Sequence, residues 1–154
     1  MFAENHSLVW SLLLVLPAMA LFSCAGTRPA GLGLHDGRLR PCPSSPNCVC
    51  SEDSDKGHTI APLRFTGDPS AAFARAKEAA LTLPGTKLEG ETTDFMHFES
   101  TSALMGFVDD LELQLVPGKD EIGVRSASRL GHGDMGVNRK RVEELRAAFA
   151  AAAK

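Results

Sequence analysis

The sequence predicts a small two-layer α+β domain, an antiparallel sheet of three to four strands packed against two helices. Three observations carry this prediction. Apolar residues recur at helical spacing in two stretches, one through Phe73, Ala76, Ala80 and Leu83 and one through Val142, Leu145, Phe149 and Ala152. Between them lie segments in which apolar and polar residues alternate, the pattern of a strand with one buried face. Pro117-Gly118-Lys119-Asp120 then joins the last two of these segments as a turn, which makes them an antiparallel hairpin. The order helix, strands, helix is that of a sheet with helices packed on it.

Each element has its own punctuation. Asp68-Pro69 opens the first helix, with Asp as N-cap and Pro as first helical residue, and Leu83-Pro84-Gly85 ends it. Strands are expected at residues 87–91, 95–101, 107–116 and 121–129. The second helix follows Asp134 or Asn138. Its polar side offers two pairs four residues apart, Arg139–Glu143 and Lys140–Glu144.

The hairpin turn sets a register: Glu112 opposite Arg125, Leu111 opposite Ser126, Asp109 opposite Ser128. Alternation then puts Phe107, Leu111, Leu113, Leu115, Ile122 and Val124 on the core face, with Asp109, Ser126 and Ser128 toward one end of it. Asp110, Glu112, Arg125 and Arg129 share the opposite face. Asn138 and Arg139, at the start of the last helix, complete the candidate polar set. One reading is a salt-bridge lattice worth a few tenths to about 1 kcal/mol per pair. The other is a site in which Arg125 and Arg129 hold a small anion, with Asp110 or Glu112 as a base and the helix N-terminus assisting.

A chain of 154 residues has room for one modest core. With a net charge of −3 and acidic residues interleaved among its basic ones, it lacks the positive field of a nucleic-acid binder. The uncharged run from Leu8 to Phe22 is shorter than the roughly 20 residues that span a bilayer, and it suits the apolar core of an export signal. Leu21-Phe22-Ser23-Cys24 resembles a bacterial lipobox, although residues 1–7 hold Glu4 and no Lys or Arg. The expected organisation is therefore a signal at 1–23, a lipidated tether at 24–39 rich in Gly and Pro, and a folded domain at 40–154. Acyl chains on Cys24 would anchor the chain to the membrane. The compartment would be the bacterial cell envelope on the periplasmic side, with Ala25 after the cysteine favouring the outer membrane.

Four stretches resemble the domain of unknown function 1499 family. They are Pro-Cys-Pro-Ser-Ser-Pro-Asn-Cys at 41–48, His-Thr-Ile-Ala-Pro-Leu at 58–63, Phe-Val-Asp-Asp-Leu-Glu at 107–112, and Val-Arg-Ser-Ala-Ser-Arg-Leu-Gly at 124–131 running into residues 134–143. The resemblance implies a small envelope-associated domain of bacteria and photosynthetic lineages. It supplies no catalytic residues to carry over. Cys50 stands where a small residue is usual in the family, and His132 where an aromatic is common.

With Cys24 acylated, Cys42, Cys48 and Cys50 face an oxidising compartment. A Cys42–Cys48 disulfide would brace a Pro-rich loop with little apolar content, and Cys48–Cys50 is disfavoured because i,i+2 side chains in extended chain point apart. A zinc site from Cys42, Cys48, Cys50 and His58 lacks the usual paired spacing. A Cys48–His58 nucleophile rests on two residue types alone. No P-loop, dinucleotide glycine motif, nucleophile elbow or zinc-protease motif is present, so no cofactor or metal is expected. The sequence weighs toward a non-catalytic envelope module that binds a protein or helps assembly. A small-anion binder and a thiol- or metal-dependent hydrolase are the alternatives.

Overall fold

In the computed structural model, which describes residues 25–153, the chain forms β1 (Cys48–Cys50), β2 (Leu63–Arg64), α1 (Pro69–Leu81), β3 (Thr86–Glu91), β4 (Phe95–Thr101), β5 (Val108–Leu115), β6 (Glu121–Ser128) and α2 (Val137–Ala151). Cys24 and the segment read as an export signal lie outside the described residues. The fold is α+β, with two helices on a six-stranded antiparallel sheet ordered β1-β6-β5-β4-β3, and β2 pairing with β6 as well. The four longer strands are those the alternation predicts. The two extra strands are three and two residues long, too short to show a period. They line the free edge of β6, β1 against Arg125, Ser126 and Ala127 and β2 against Glu121 and Ile122, and so satisfy backbone groups that an open edge would expose.

Asp68 caps α1 by accepting the Ala71 N–H at 2.7 Å. Helix α1 buries Ala72, Phe73, Ala76, Ala79 and Ala80, and α2 buries Val142, Leu145 and Phe149. Both pack on the sheet face that carries Met96, Phe98, Leu111, Leu113, Ile122 and Val124. The β5–β6 register matches the one read from the turn, including Glu112 with Arg125, Leu111 with Ser126 and Asp109 with Ser128.

Three local expectations need correcting. Phe107 is not in the core: β5 begins one residue later and Phe107 is 41% exposed. Ala152 is the α2 C-cap and is exposed. Arg139 does not pair with Glu143. Its guanidinium donates to the carbonyls of Gly57 and Thr59, while Glu143 pairs with Arg146. The Lys140–Glu144 pair does form, at 3.7 Å.

The stretch read as a tether is packed over most of its length. Residues 28–39 cross the sheet face opposite the helices. The Gly33 N–H donates to Glu112 Oε1 at 2.9 Å, Gln114 Nε2 donates to the Gly37 carbonyl at 2.5 Å, and Leu39 is buried. His35 and Arg38 pair across a tight turn in which Asp36 and Gly37 both have positive φ, 52° and 74°. The sheet is thus covered on both faces, by helices on one and by a strap on the other.

Candidate functional site

Beneath the strap, β4, β5 and β6 present His97, Glu99, Asp110, Glu112, Gln114 and Arg125, and Arg129 follows directly after β6. All share one face, because β4 pairs His97 with Glu112 and Glu99 with Asp110. Glu112, fully buried, accepts Arg125 Nη1 at 2.7 Å and takes the strap's Gly33 N–H on its other oxygen. Asp110 accepts Arg129 Nε at 2.9 Å and Nη2 at 2.7 Å, together with His97 Nε2 at 2.8 Å. Arg129 also reaches Glu99. Arg28 of the strap lies 2.7 Å from His97 Nδ1. A guanidinium only donates, so Nδ1 accepts from Arg28 and Nε2 donates to Asp110. Burial by itself would raise the Asp110 carboxyl, but the hydrogen bonds from His97 and Arg129 and the Arg129 charge outweigh it and hold it low. Hydrogen bonding to Asp110 in turn raises the Arg129 guanidinium. Glu99 is held low by Arg129 and Lys87 against the opposing effect of its burial. The arrangement is a neutralised lattice.

A second network joins the core face of the hairpin to α2. Asp109 accepts Arg141 Nη2 at 2.6 Å, and Arg141 Nη1 donates to Asn138 Oδ1 and Ser126 Oγ. The Asn138 amide, fully buried, donates to Ser128 Oγ, the Asn47 carbonyl and Asp134 Oδ2. Gly136 stands at the α2 N-cap without a side chain, and Asp134 takes over the capping: its carboxylate accepts the backbone N–H groups of Gly136 and Asn138. Burial opposes ionisation of Asp134, yet these hydrogen bonds prevail and lower its carboxyl. An internal carboxylate therefore occupies the place at the helix N-terminus where an external anion would bind.

The cysteine corner is also committed. Cys42 and Cys48 form a disulfide. His58 Nδ1 lies 3.0 Å from the Cys48 carbonyl, to which it donates. Cys50 is free but fully buried, and burial raises its thiol, which makes it a poor nucleophile. Asp53 accepts the N–H groups of Asp55 and Cys42, which lower its carboxyl and fasten the disulfide loop. Among the described residues, no group of three or more His, Cys, Asp or Glu is placed to hold a metal ion.

The family described as protein of unknown function (DUF1499) matches residues 38–149. The chain belongs to that family. No curated protein matches it. Both polar networks and the disulfide lie inside the DUF1499 match, except for Arg28, Gly33 and Gly37, the strap groups that close the outer network.

Of the candidate residues, Asp110, Glu112, Arg125 and Arg129 come together on the outer face. Asp109, Ser126, Ser128 and Asn138 come together at the α2 end. Arg139 joins neither. Asp110 does not bridge the two arginines, since Arg125 belongs to Glu112. Sequence reading missed His97, Glu99 and Gln114. Their signal was available, because Met96 and Phe98 alternate with His97 and Glu99, and Gln114 continues the Asp110–Glu112 alternation. It also missed Arg141, three residues after Asn138 on the same helix. Arg28 carries no local signal.

Among the clefts of the described residues, one lies beside the second network. At the end of the sheet nearest the start of α2, a cleft of about 220 Å³ opens between the β4–β5 loop and the β6–α2 loop. Phe107, Val108, Leu130, Met135 and Val137 line it, with Asp109 and Ser128 also in its wall.

Proposed function

We propose that this chain is a lipid-anchored protein of the bacterial cell envelope, held on the periplasmic side by acyl chains on Cys24. Its DUF1499 domain acts as a non-catalytic binding or assembly-assisting module. One observation carries the non-catalytic reading: each ionisable or nucleophilic candidate is already engaged within the domain. Asp110 is held by Arg129 and His97, Glu112 by Arg125 and Gly33, and Asp134 by the α2 N-terminus. The Cys48 sulfur is in a disulfide. A disulfide also supports an oxidising compartment, in keeping with the lipobox-like Leu21-Phe22-Ser23-Cys24. A small anion at Arg125 and Arg129 would have to break buried ion pairs at 2.7 Å to enter, which makes it the weaker reading.

The test is the intact mass of full-length protein extracted from membranes, alkylated with and without prior reduction. The proposal expects a chain that starts at Cys24 and carries acyl groups, with two thiols that react only after reduction. A chain without acyl groups, or with all thiols reactive before reduction, contradicts it.

A further inference from the structure

Seven large apolar side chains stand exposed among the described residues, and all but Leu81 lie at one end of the sheet: Leu104, Met105, Phe107, Leu130, Met135 and Val137. They occupy the β4–β5 loop, the β6–α2 loop and the first residue of α2. Four of them border the one cleft described above, so the two loops form a continuous apolar surface. Leu104 is 91% exposed and Met135 fully exposed. Met135 also holds a positive φ of 53°, a conformation that a bulky L-residue adopts at a cost in free energy, and it does so with its thioether in solvent. Residues 101–107 and 130–137 contain only two ionisable side chains, His132 and Asp134, and Asp134 is tied down as the α2 cap. Isolated exposed apolar residues need no explanation, but a contiguous, nearly uncharged cap of this kind marks an interaction surface.

The position of the N-terminus identifies the occupant. The Gly26 backbone lies against this same end: a Cβ there would be 2.9 Å from Arg129 Cβ and from Leu130 Cγ. Two residues earlier stands Cys24, and two residues span at most about 7 Å. Two residues later, Arg28 is bound to His97 and Glu99 under the strap. No free tether remains between the lipid-bearing residue and the domain.

We infer that this end of the domain contacts the lipid bilayer, with the β4–β5 and β6–α2 loops inserted in the interface beside the acyl chains. The inference rests on the acylation of Cys24 proposed above. Apolar side chains at such an interface sit about 5–10 Å into the boundary between headgroups and acyl chains. The contact fixes the orientation of the domain. The β5–β6 turn at residues 117–120 points away from the membrane by one strand length, about 25 Å for eight residues, and presents that end to the periplasm.

The experiment uses full-length protein reconstituted in phosphatidylethanolamine/phosphatidylglycerol vesicles whose acyl chains carry bromine near the glycerol end, which quenches indole emission. Trp10, the one native tryptophan, lies in the segment that cleavage before Cys24 removes, and it is changed to Phe throughout so that any uncleaved chain adds no emission. Single tryptophans are then introduced as Leu104→Trp, Met135→Trp and Lys119→Trp, all at exposed positions, with circular dichroism to confirm folding. The expected result is at least a roughly twofold loss of emission for Leu104→Trp and Met135→Trp, the depth range of an interfacial segment, and no loss for Lys119→Trp. Equal quenching at all three positions, or at none, overturns the inference. If intact mass shows acyl chains in that same sample, the anchor survives and only the tip contact fails. If the mass shows none, the anchor fails, and quenching still reads the tip by itself. Dimers formed by a thiol-reactive cross-linker on a separate Leu104→Cys variant, with no quenching of the tryptophan variants, place a second copy at this end and also overturn the inference.

Discussion

The outer face of the sheet and the end of the same strands differ in what they leave unmet. On the outer face, carboxylates and guanidiniums meet one another at hydrogen-bond distance, and a strap of chain closes over them. At the strand ends, six large apolar side chains meet solvent and one of them sits in a strained backbone conformation. The face is rich in residues that usually signal chemistry, yet each of its carboxylates is already paired, with only Arg125 Nε and Gln114 Oε1 left without a hydrogen-bond partner. The tip has almost no such residues, yet it is the part that the fold leaves unfinished. In this domain, charged residues hold the architecture together, and the exposed apolar residues are where the inferred membrane contact falls.

The contrast can be broken from its strong side first. Glu112→Ala leaves Arg125 buried without its carboxylate and the Gly33 N–H without an acceptor. It should cost about 3–5 kcal/mol, the range for removing one partner of a buried ion pair, measured by urea denaturation. The two polar networks together predict a direction with pH. Asp110, Glu99 and Asp134 all lie below the ordinary carboxylate range in the folded state. Their contribution is therefore present in full above roughly pH 4 and is lost as pH falls through the lowered values. Melting temperature should fall with acidification in that window, and Asp110→Asn should flatten the slope.

The next effect is smaller. Cys42→Ser/Cys48→Ser opens a short loop, and chain-entropy arguments put the loss at about 2 kcal/mol. Asp134→Ala removes the α2 cap and should cost about 1 kcal/mol by the same denaturation assay. At the weak end, Leu104→Ser should change stability by no more than about 0.5 kcal/mol, because the side chain packs on nothing. A loss comparable to that of Glu112→Ala would mean that the tip is part of the core, and the contrast would collapse.

How much of this was legible depended on how long each pattern ran. Both helices and the four long strands announce themselves through period and punctuation, and the hairpin register followed from Pro117-Gly118-Lys119-Asp120 alone. β1 and β2 escaped because strands of three and two residues have no period; pairing with β6 makes them strands. The strap escaped for a related reason. Its only local cue, Asp36-Gly37, is a hairpin dipeptide without the flanking apolar alternation that usually accompanies it. Its attachment depends on partners far along the chain, His97, Glu112 and Gln114, which no local pattern links to it. For the polar networks, alternation supplied the face of each β5 and β6 residue. The choice between lattice and ligand site required the closing groups, Arg28, Gly33 and Arg141, which sequence reading did not place there. The tip was misread at Phe107, where alternation was carried one residue beyond the strand.

The measurement that bears most directly on the central claim is calorimetric melting of Arg125→Ala beside wild type, each with and without added phosphate. The account predicts that the substitution lowers the melting temperature by about 10 °C, from a loss near 3 kcal/mol in a domain of this size, and that phosphate leaves the wild type unchanged. A variant that melts with the wild type, together with a wild type that phosphate stabilises, would contradict it and return the outer face to the role of an anion site.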